Sequence, residues 1–316
     1  MSSYGEAAKE IATTPKPELH VHLEGSISVE TLNRLALKKG LPAFESSPYR
    51  FSNFKEFDAI FPRLGPYFDT PEDFYEIALA FGRRLVDEGI TYCEVLVMPF
   101  VHVRRGVPFE GLMEALDSAF SELAKGQGIE VKIICAIPRT LGADAGQKTL
   151  DWIESRPLDR IVGIDLAGEE RAGTIKPFAP VFERARSIGL GTVAHAGEFL
   201  GPEAIWETIE RLKPDRIGHG ISAAKDNKLM DFLAQKNIPL DISLTSNVML
   251  GAVPELAFHP VRLFYEEGVA FTMNTDDPAF LHTTLIDEYG ILAEQFNFKG
   301  DEIRQILKRG FEFRLG

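Results

Sequence analysis

The chain has 316 residues, 45% of them hydrophobic and 26% charged, and its 34 basic and 47 acidic residues leave a net charge of −13. This is globular composition, long enough to bury a sizeable core in one large domain or two ordinary ones. No run approaches the roughly 18 apolar residues of a membrane span. The acidic excess repels phosphate backbones and anionic lipid, which argues against a nucleic acid polymer or a membrane as partner.

The first segment, "MSSYGEAAKEIATTPKPE", lacks an apolar core of signal-peptide length, so a cytoplasmic protein is expected. Next comes "PELHVHLEG" (17–25), where strict alternation puts His20 and His22 on one face of a strand and Leu19, Val21 and Leu23 on the other. Two imidazoles on one face form a two-point ligand.

Residues 28–90 then separate the first strand from the second. They hold "SVETLNRLALKKG", a helix with Ser28 as N-cap, and the aromatic-rich "PAFESSPYRFSNFKEFDAIFPRLGPYF". An insertion at that position is expected to be a helical lid over the barrel mouth or a hydrophobic side cluster packed on the barrel. The stretch "PEDFYEIALAFGRRLVDEG" starts at Pro71 and ends at Gly89, and "FEGLMEALDSAFSELAKGQG" stops at Gly126 and Gly128, both with helical apolar spacing.

Seven further β-rich runs follow: "TYCEVLVMP" (91–99), "VKIICAI" (131–137), "IVGIDLAG" (161–168), "GTVAHAGE" (191–198), "RIGHG" (216–220), "PLDISLT" (239–245) and "VAFTMNTDD" (269–277). Near-continuous apolar strands alternating with helices indicate a parallel sheet covered on both faces. Eight such units over about 250 residues predict a closed α/β barrel, the (β/α)8 or TIM barrel, as a single domain over 1–316. Cys93 and Cys135 lie inside apolar runs without a C-x-x-C spacing and read as core thiols.

The chemistry collects at strand ends. His20 and His22, His195, His219 and the pair Asp276 and Asp277 all fall at or just past the C-terminal ends of predicted strands, where such barrels carry their active sites. His102, His259 and His282 have no such placement and read as structural or surface histidines. His20, His22, His195 and an aspartate closing the eighth strand form a His3Asp ligand set that suits one Zn2+ per chain, although iron, cobalt or manganese also fits. A metal there lowers the pKa of bound water toward neutrality. Glu198, three residues past His195, is a candidate general acid and base, and His219, between Gly218 and Gly220, a candidate for orienting the attacking water. The residues alone thus reach metal-assisted hydrolysis. Two other readings are kept beside it: a different metal-dependent barrel hydrolase that opens a cyclic amide or cleaves an ester, for which Asp165 lies within the fourth strand but no lysine stands at a strand end, and a non-catalytic binding protein that keeps the fold.

Taken in order, "ELHVHLEGS", "GIDLAGEE", "AHAGE", "IGHG", "TSN" and "NTDDP" resemble the adenosine deaminase family, the zinc-dependent purine aminohydrolases, across roughly residues 16 to 290. The resemblance implies that His20, His22, His195 and Asp276 bind zinc, that Glu198 protonates the purine at N1, and that His219 positions the attacking hydroxide. It further implies that Asp277 hydrogen-bonds N7, that the Gly168 backbone contacts N3, and that His22 and Glu24 border the substrate. The implied reaction is hydrolytic removal of a 6-amino group, most simply adenosine or deoxyadenosine to inosine or deoxyinosine and ammonia, with adenine and aminodeoxyfutalosine as alternative substrates. The partner is thus a small purine, and a homo-oligomer is left open.

Three departures are visible. "HLEG" stands where adenosine-specific members often read "HLDG", so Glu24 reaches one methylene further toward the sugar position, as in adenine and some aminodeoxyfutalosine deaminases. "SLTSN" (243–247) replaces the usual Cys-Pro, which leaves Ser246 and Asn247 as structural supports and gives Ser243 and Leu244 no role. The chain also stops at "FEFRLG", earlier than many relatives.

Overall fold

In the computed structural model, which describes residues 3–316, eight parallel strands run in sequence order around one sheet. They are β1 (Lys16–His22), β2 (Ile90–Val97), β3 (Glu130–Pro138), β4 (Ile161–Ala167), β5 (Gly191–Ala196), β6 (Arg216–His219), β7 (Leu240–Ile242) and β8 (Phe271–Met273). Each is followed by helix, which packs on the outside, so the strands are buried on both faces and read as continuous apolar runs. The expected (β/α)8 barrel is therefore what the chain builds.

Closure occurs at one seam. β1 meets the residues just past β8 through an isolated parallel bridge of Val21 with Asp276, in which His22 N donates to Asp276 O at 2.7 Å and Asp276 N to His20 O at 3.2 Å. The strand expected over 269–277 is accordingly shorter, because Asn274 to Asp277 turn across the seam and Asp276 takes a positive φ of 63°. The seventh run also stops early, since Leu244–Met249 forms a helix that carries Ser246 and Asn247.

Alternation in β1 holds for its upper half. Val21 and Leu23 point into the helix-covered core, whereas Leu19 joins Tyr92, Ala270 and Phe313 in a separate cluster. The register shifts between Glu18 and Val21, and the Leu19 and His20 amides both donate to Asn274 Oδ1, at 2.8 and 3.0 Å. The side chain of Asn274 thus stands in for the missing ladder partner.

Low in the barrel a charged knot replaces apolar filling. Arg216 is 1% exposed and donates to Glu94 Oε2 at 2.7 Å, Asp241 Oδ2 at 3.1 Å, and the carbonyls of Leu19 and Phe313 at 2.9 Å each. Leu315 N adds a bond to Glu94 Oε1 at 2.6 Å, and Thr272 Oγ1 donates to Asp241 Oδ1 at 2.8 Å. Every guanidinium nitrogen has an acceptor, the condition under which a buried cation is tolerated.

The insertion between β1 and β2 contains helices Val29–Lys39, Phe54–Asp58, Ile60–Leu64 and Pro71–Asp87. Ser28 caps the first of them by accepting from Thr31 N, as its sequence predicts. Thr70 and Asp73 form a reciprocal capping box on the last. Phe54, Phe57, Phe61 and Phe68 contribute to the wall of a cavity at the C-terminal barrel mouth, while Phe57 and Phe61 also pack on Phe280. The aromatic stretch is both cavity wall and side cluster. Cys93 and Cys135 are buried free thiols, and no helix among the described residues is long and apolar enough to cross a membrane.

Candidate active site

Inward alternation of β1 delivers His20 and His22 to the mouth, β5 delivers His195, and the seam delivers Asp276. One ligand atom from each of the four lies within 4.8 Å of the others. The Nε2 atoms of His20 and His22 stand 3.5 and 3.4 Å from Asp276 Oδ1. Both nitrogens of His20 are buried without a hydrogen-bond partner, so the ring has nothing to satisfy it but a cation or a proton. Burial opposes that proton, but the facing carboxylates of Asp241 and Asp276 outweigh it and push His20 up to about 10. A bound metal takes the place of that proton.

Supporting groups hold the four in place. Asp165, the fourth-strand carboxylate, lies outside the cluster and takes His195 Nδ1 at 3.0 Å, which leaves Nε2 for the cluster. Ser246 Oγ donates to Asp276 Oδ2 at 2.6 Å, and Asp241 Oδ2 sits 3.6 Å from His20 Nδ1. Asp165→Asn is expected to lower metal affinity about 10- to 100-fold. Titrating metal into chelator-stripped protein, with circular dichroism as the folding control, checks this.

Glu198 sits on the loop after β5. That loop is stapled by Glu170, which accepts from Gly197 N at 2.5 Å, Phe199 N at 2.7 Å and Leu200 N at 2.9 Å. Glu198 Oε1 is buried and unpartnered, and Oε2 lies 3.7 Å from His219 Nε2. Burial, then the charges of Asp276 and Glu170, raise the Glu198 carboxyl well above its usual range, the direction that favours its protonated form. Asp277 is raised well above its usual range by burial and by its neighbour Asp276. Asp276 goes the other way: burial opposes ionisation, but His20 facing it and the other surrounding imidazoles hold it well below the usual range. The two adjacent carboxyls are thereby pushed in opposite directions, Asp276 toward its ionised form and Asp277 toward its protonated form.

Eight of the nine residues expected at the site line one cavity: His22, Glu24, Gly168, His195, Glu198, His219, Asp276 and Asp277 border a space of about 270 Å³. The ninth, His20, is fully buried and joins them through the cluster it forms with His22, His195 and Asp276. Gly25 permits the close approach of β1's end to the seam, since a Cβ there would fall 1.7 Å from Asp277 Oδ1. Gly168 has φ +94° and aligns its peptide along the wall.

Two of the histidines read as structural or at the surface lie against the site. His102, expected to be structural or at the surface, is buried in the cavity wall with its Nε2 2.7 Å from Glu24 Oε1, and Met98 N donates to the same oxygen at 3.0 Å. His259 is also buried, 3.1 Å from Asn247 Oδ1, and Asn247 in turn reaches His219. Neither stands at a strand end, so spacing gave no signal. His282 is exposed, as expected. Glu170 and Asp241 were likewise unforeseen, although "GIDLAGEE" and "PLDISLT" contain them.

Comparison with known proteins agrees with this geometry. The family model for adenosine deaminase matches residues 15–314. An adenine deaminase of Pseudomonas entomophila is 34% identical over 308 residues, 95% of this chain and 97% of that protein. An aminodeoxyfutalosine deaminase of Streptomyces avermitilis is 33% identical over 310 residues, 96% of this chain and 87% of that protein. The crystal structure of an adenine deaminase from Arthrobacter aurescens superposes with a TM-score of 0.91 at 27% identity, covering 96% of this chain and 94% of that one. With its barrel, its four-ligand cluster and its paired carboxyls in that family's order, the chain belongs to the adenosine deaminase family and is a purine deaminase of the hydrolase class.

Proposed function

We propose that the chain hydrolyses the 6-amino group of adenine, yielding hypoxanthine and ammonia. The observation that carries this reading is Glu24. Burial alone would raise its carboxyl, but the His102 hydrogen bond and charge outweigh it and hold it below its ordinary range, while Oε2 is buried in the cavity wall with no partner. An ionised carboxylate oxygen accepts only, so it calls for a donor on the ligand. The imidazole ring of a free purine base carries an N–H, whereas a nucleoside has a sugar bond at N9. The relatives named adenine deaminase support the base over adenosine, the substrate the sequence put first. The aminodeoxyfutalosine relative supports a second reading, in which Glu24 accepts from a sugar hydroxyl.

His20, His22, His195 and Asp276 would hold zinc, as their nitrogen-rich donor set and the unpartnered His20 nitrogens fit it. Zinc supplies Lewis acidity and lowers the pKa of water to near neutrality. The chain's own groups then do the rest. Protonated Glu198 delivers its proton to N1, which makes C6 electrophilic as water adds there. Protonated Asp277 donates to N7, the Gly168 N–H to N3, and His219 holds the attacking oxygen by its Nε2. With the C6 centre tetrahedral, Glu198 takes one proton of the added water and passes it to the amine, which leaves as ammonia; as the C6 carbonyl forms, the remaining hydroxyl proton returns to Glu198 and restores its starting state. The phenylalanines of the wall keep bulk water from the ring.

Ammonia release by zinc-loaded protein from adenine, adenosine and aminodeoxyfutalosine tests the reading: adenine is expected to be preferred, and faster turnover of either nucleoside overturns it. Glu24→Gln is expected to lower kcat/KM for adenine by about 10-fold or more, the worth of a hydrogen bond to a charged group. Steady-state kinetics on the same panel checks it.

A further inference from the structure

His219 makes one contact that the reaction does not use. Its Nε2 faces the site, 3.7 Å from Glu198 Oε2 and 4.0 Å from Asp276 Oδ2, while its Nδ1 points away into the protein, 3.0 Å from the amide nitrogen of Asn247. Asn247 Oδ1 is 3.1 Å from His259 Nε2, and His259 Nδ1 is 3.2 Å from the backbone nitrogen of Val261. All three side chains are buried. We infer that this chain, anchored on the Val261 amide, fixes His219 as the Nε2–H tautomer, with Asn247 and His259 as positioning residues for the reaction.

The direction of every bond follows from its far end. Val261 N–H is the first amide of helix Val261–Glu266, has no intrahelical acceptor, and can only donate. His259 Nδ1 must therefore accept. Burial lowers the His259 ring to about 3, so it is neutral and carries its single hydrogen on Nε2. That hydrogen selects the Asn247 oxygen. The amide's NH2 is thereby turned to His219 Nδ1, which accepts and leaves the His219 hydrogen on Nε2. A backbone group sets the polarity, and no side-chain rotation can reverse it without breaking a bond in a buried site.

The consequence is chemical. With hydrogen already on Nε2, neutral His219 meets the attacking oxygen as a donor; it cannot draw a proton from it. This assigns His219 to holding and stabilising that oxygen and leaves proton movement to Glu198. The inference rests on the reading of His219 as a reaction-site group, and the test separates the two.

The test is Asn247→Asp in zinc-loaded protein. Asp is isosteric but accepts only, so it pulls the hydrogen of His219 onto Nδ1 and leaves Nε2 bare toward the site. Imidazole 15N spectra of histidine-labelled protein, with the His219 signals assigned by their loss in His219→Gln, are expected to show the Nε2–H form in the unmodified protein and the Nδ1–H form in the variant. Turnover is expected to fall by roughly 10²- to 10⁴-fold, the scale of a wrong histidine tautomer elsewhere, with KM and zinc content unchanged. An Nδ1–H signal or a tautomer mixture in the unmodified protein overturns the inference. A swapped tautomer with full turnover leaves the relay in place and overturns its catalytic part, and with it the role given to His219. Should Asn247→Asp not fold, His259→Gln and His259→Leu decide. Glutamine still donates to Asn247 Oδ1 and is expected to keep the tautomer and most turnover, whereas leucine frees the amide to rotate and is expected to lose both; equal behaviour of the two overturns the relay.

Discussion

Glu198→Gln is expected to lower turnover of the preferred substrate by roughly 10² to 10⁴, the contribution of a positioned acid and base. Glutamine keeps the size of the side chain and the loop that Glu170 staples, but its amide has no proton to release to N1 and cannot collect one for the leaving amine. The buried, unpartnered Oε1 and the raised carboxyl are what the proposed proton-carrying role rests on. Metal content is expected to stay at the unmodified level, because Glu198 is not among the four clustered ligands. Ammonia assays beside elemental analysis check both halves. A variant that keeps turnover within a few-fold removes Glu198 from the reaction.

Arg216→Ala is expected to cost stability rather than chemistry, by about 3–5 kcal/mol. Removing the cation leaves Glu94 and Asp241 buried with no opposite charge, and strips two backbone carbonyls of their donor. The loss is read from denaturant midpoints at fixed slope. Neutralising one partner in the same chain, Arg216→Ala with Glu94→Gln, is expected to recover part of it, since the cost lies in the stranded charges. A single variant with an unchanged midpoint shows the knot to be solvated in solution.

Much of this site can be read from spacing alone, and the reason is local. Period-two alternation fixes the shared face of His20 and His22, because a strand's geometry is set by its own backbone, and the length of the apolar runs puts His195 at the end of β5 and Asp276 just past β8. Helix ends were equally legible at Ser28, whose cap bond spans three residues. What could not be read depends on chain crossings. His102 reaches Glu24 across 78 residues, and Glu170 reaches the Glu198 loop across 27 to 30, so neither falls in any periodic pattern. The register shift near Glu18 was hidden for a similar reason: it is made by Asn274, some 255 residues away. The strand boundaries of β7 and β8 failed because their last residues bend to build the site, where sheet propensity yields to seam and helix.

The seam at Asp276 has a consequence for synthesis. Two of the four clustered ligands are made within the first 22 residues, the third at 195, and the last only at 276. At the end of β5 the three imidazoles of the cluster have been made and its one carboxylate has not. The same peptide that supplies the carboxylate makes the two bonds that shut the barrel. Completion of the four-residue cluster and closure of the sheet are thus tied in the order of synthesis: neither can precede the peptide that carries Asp276.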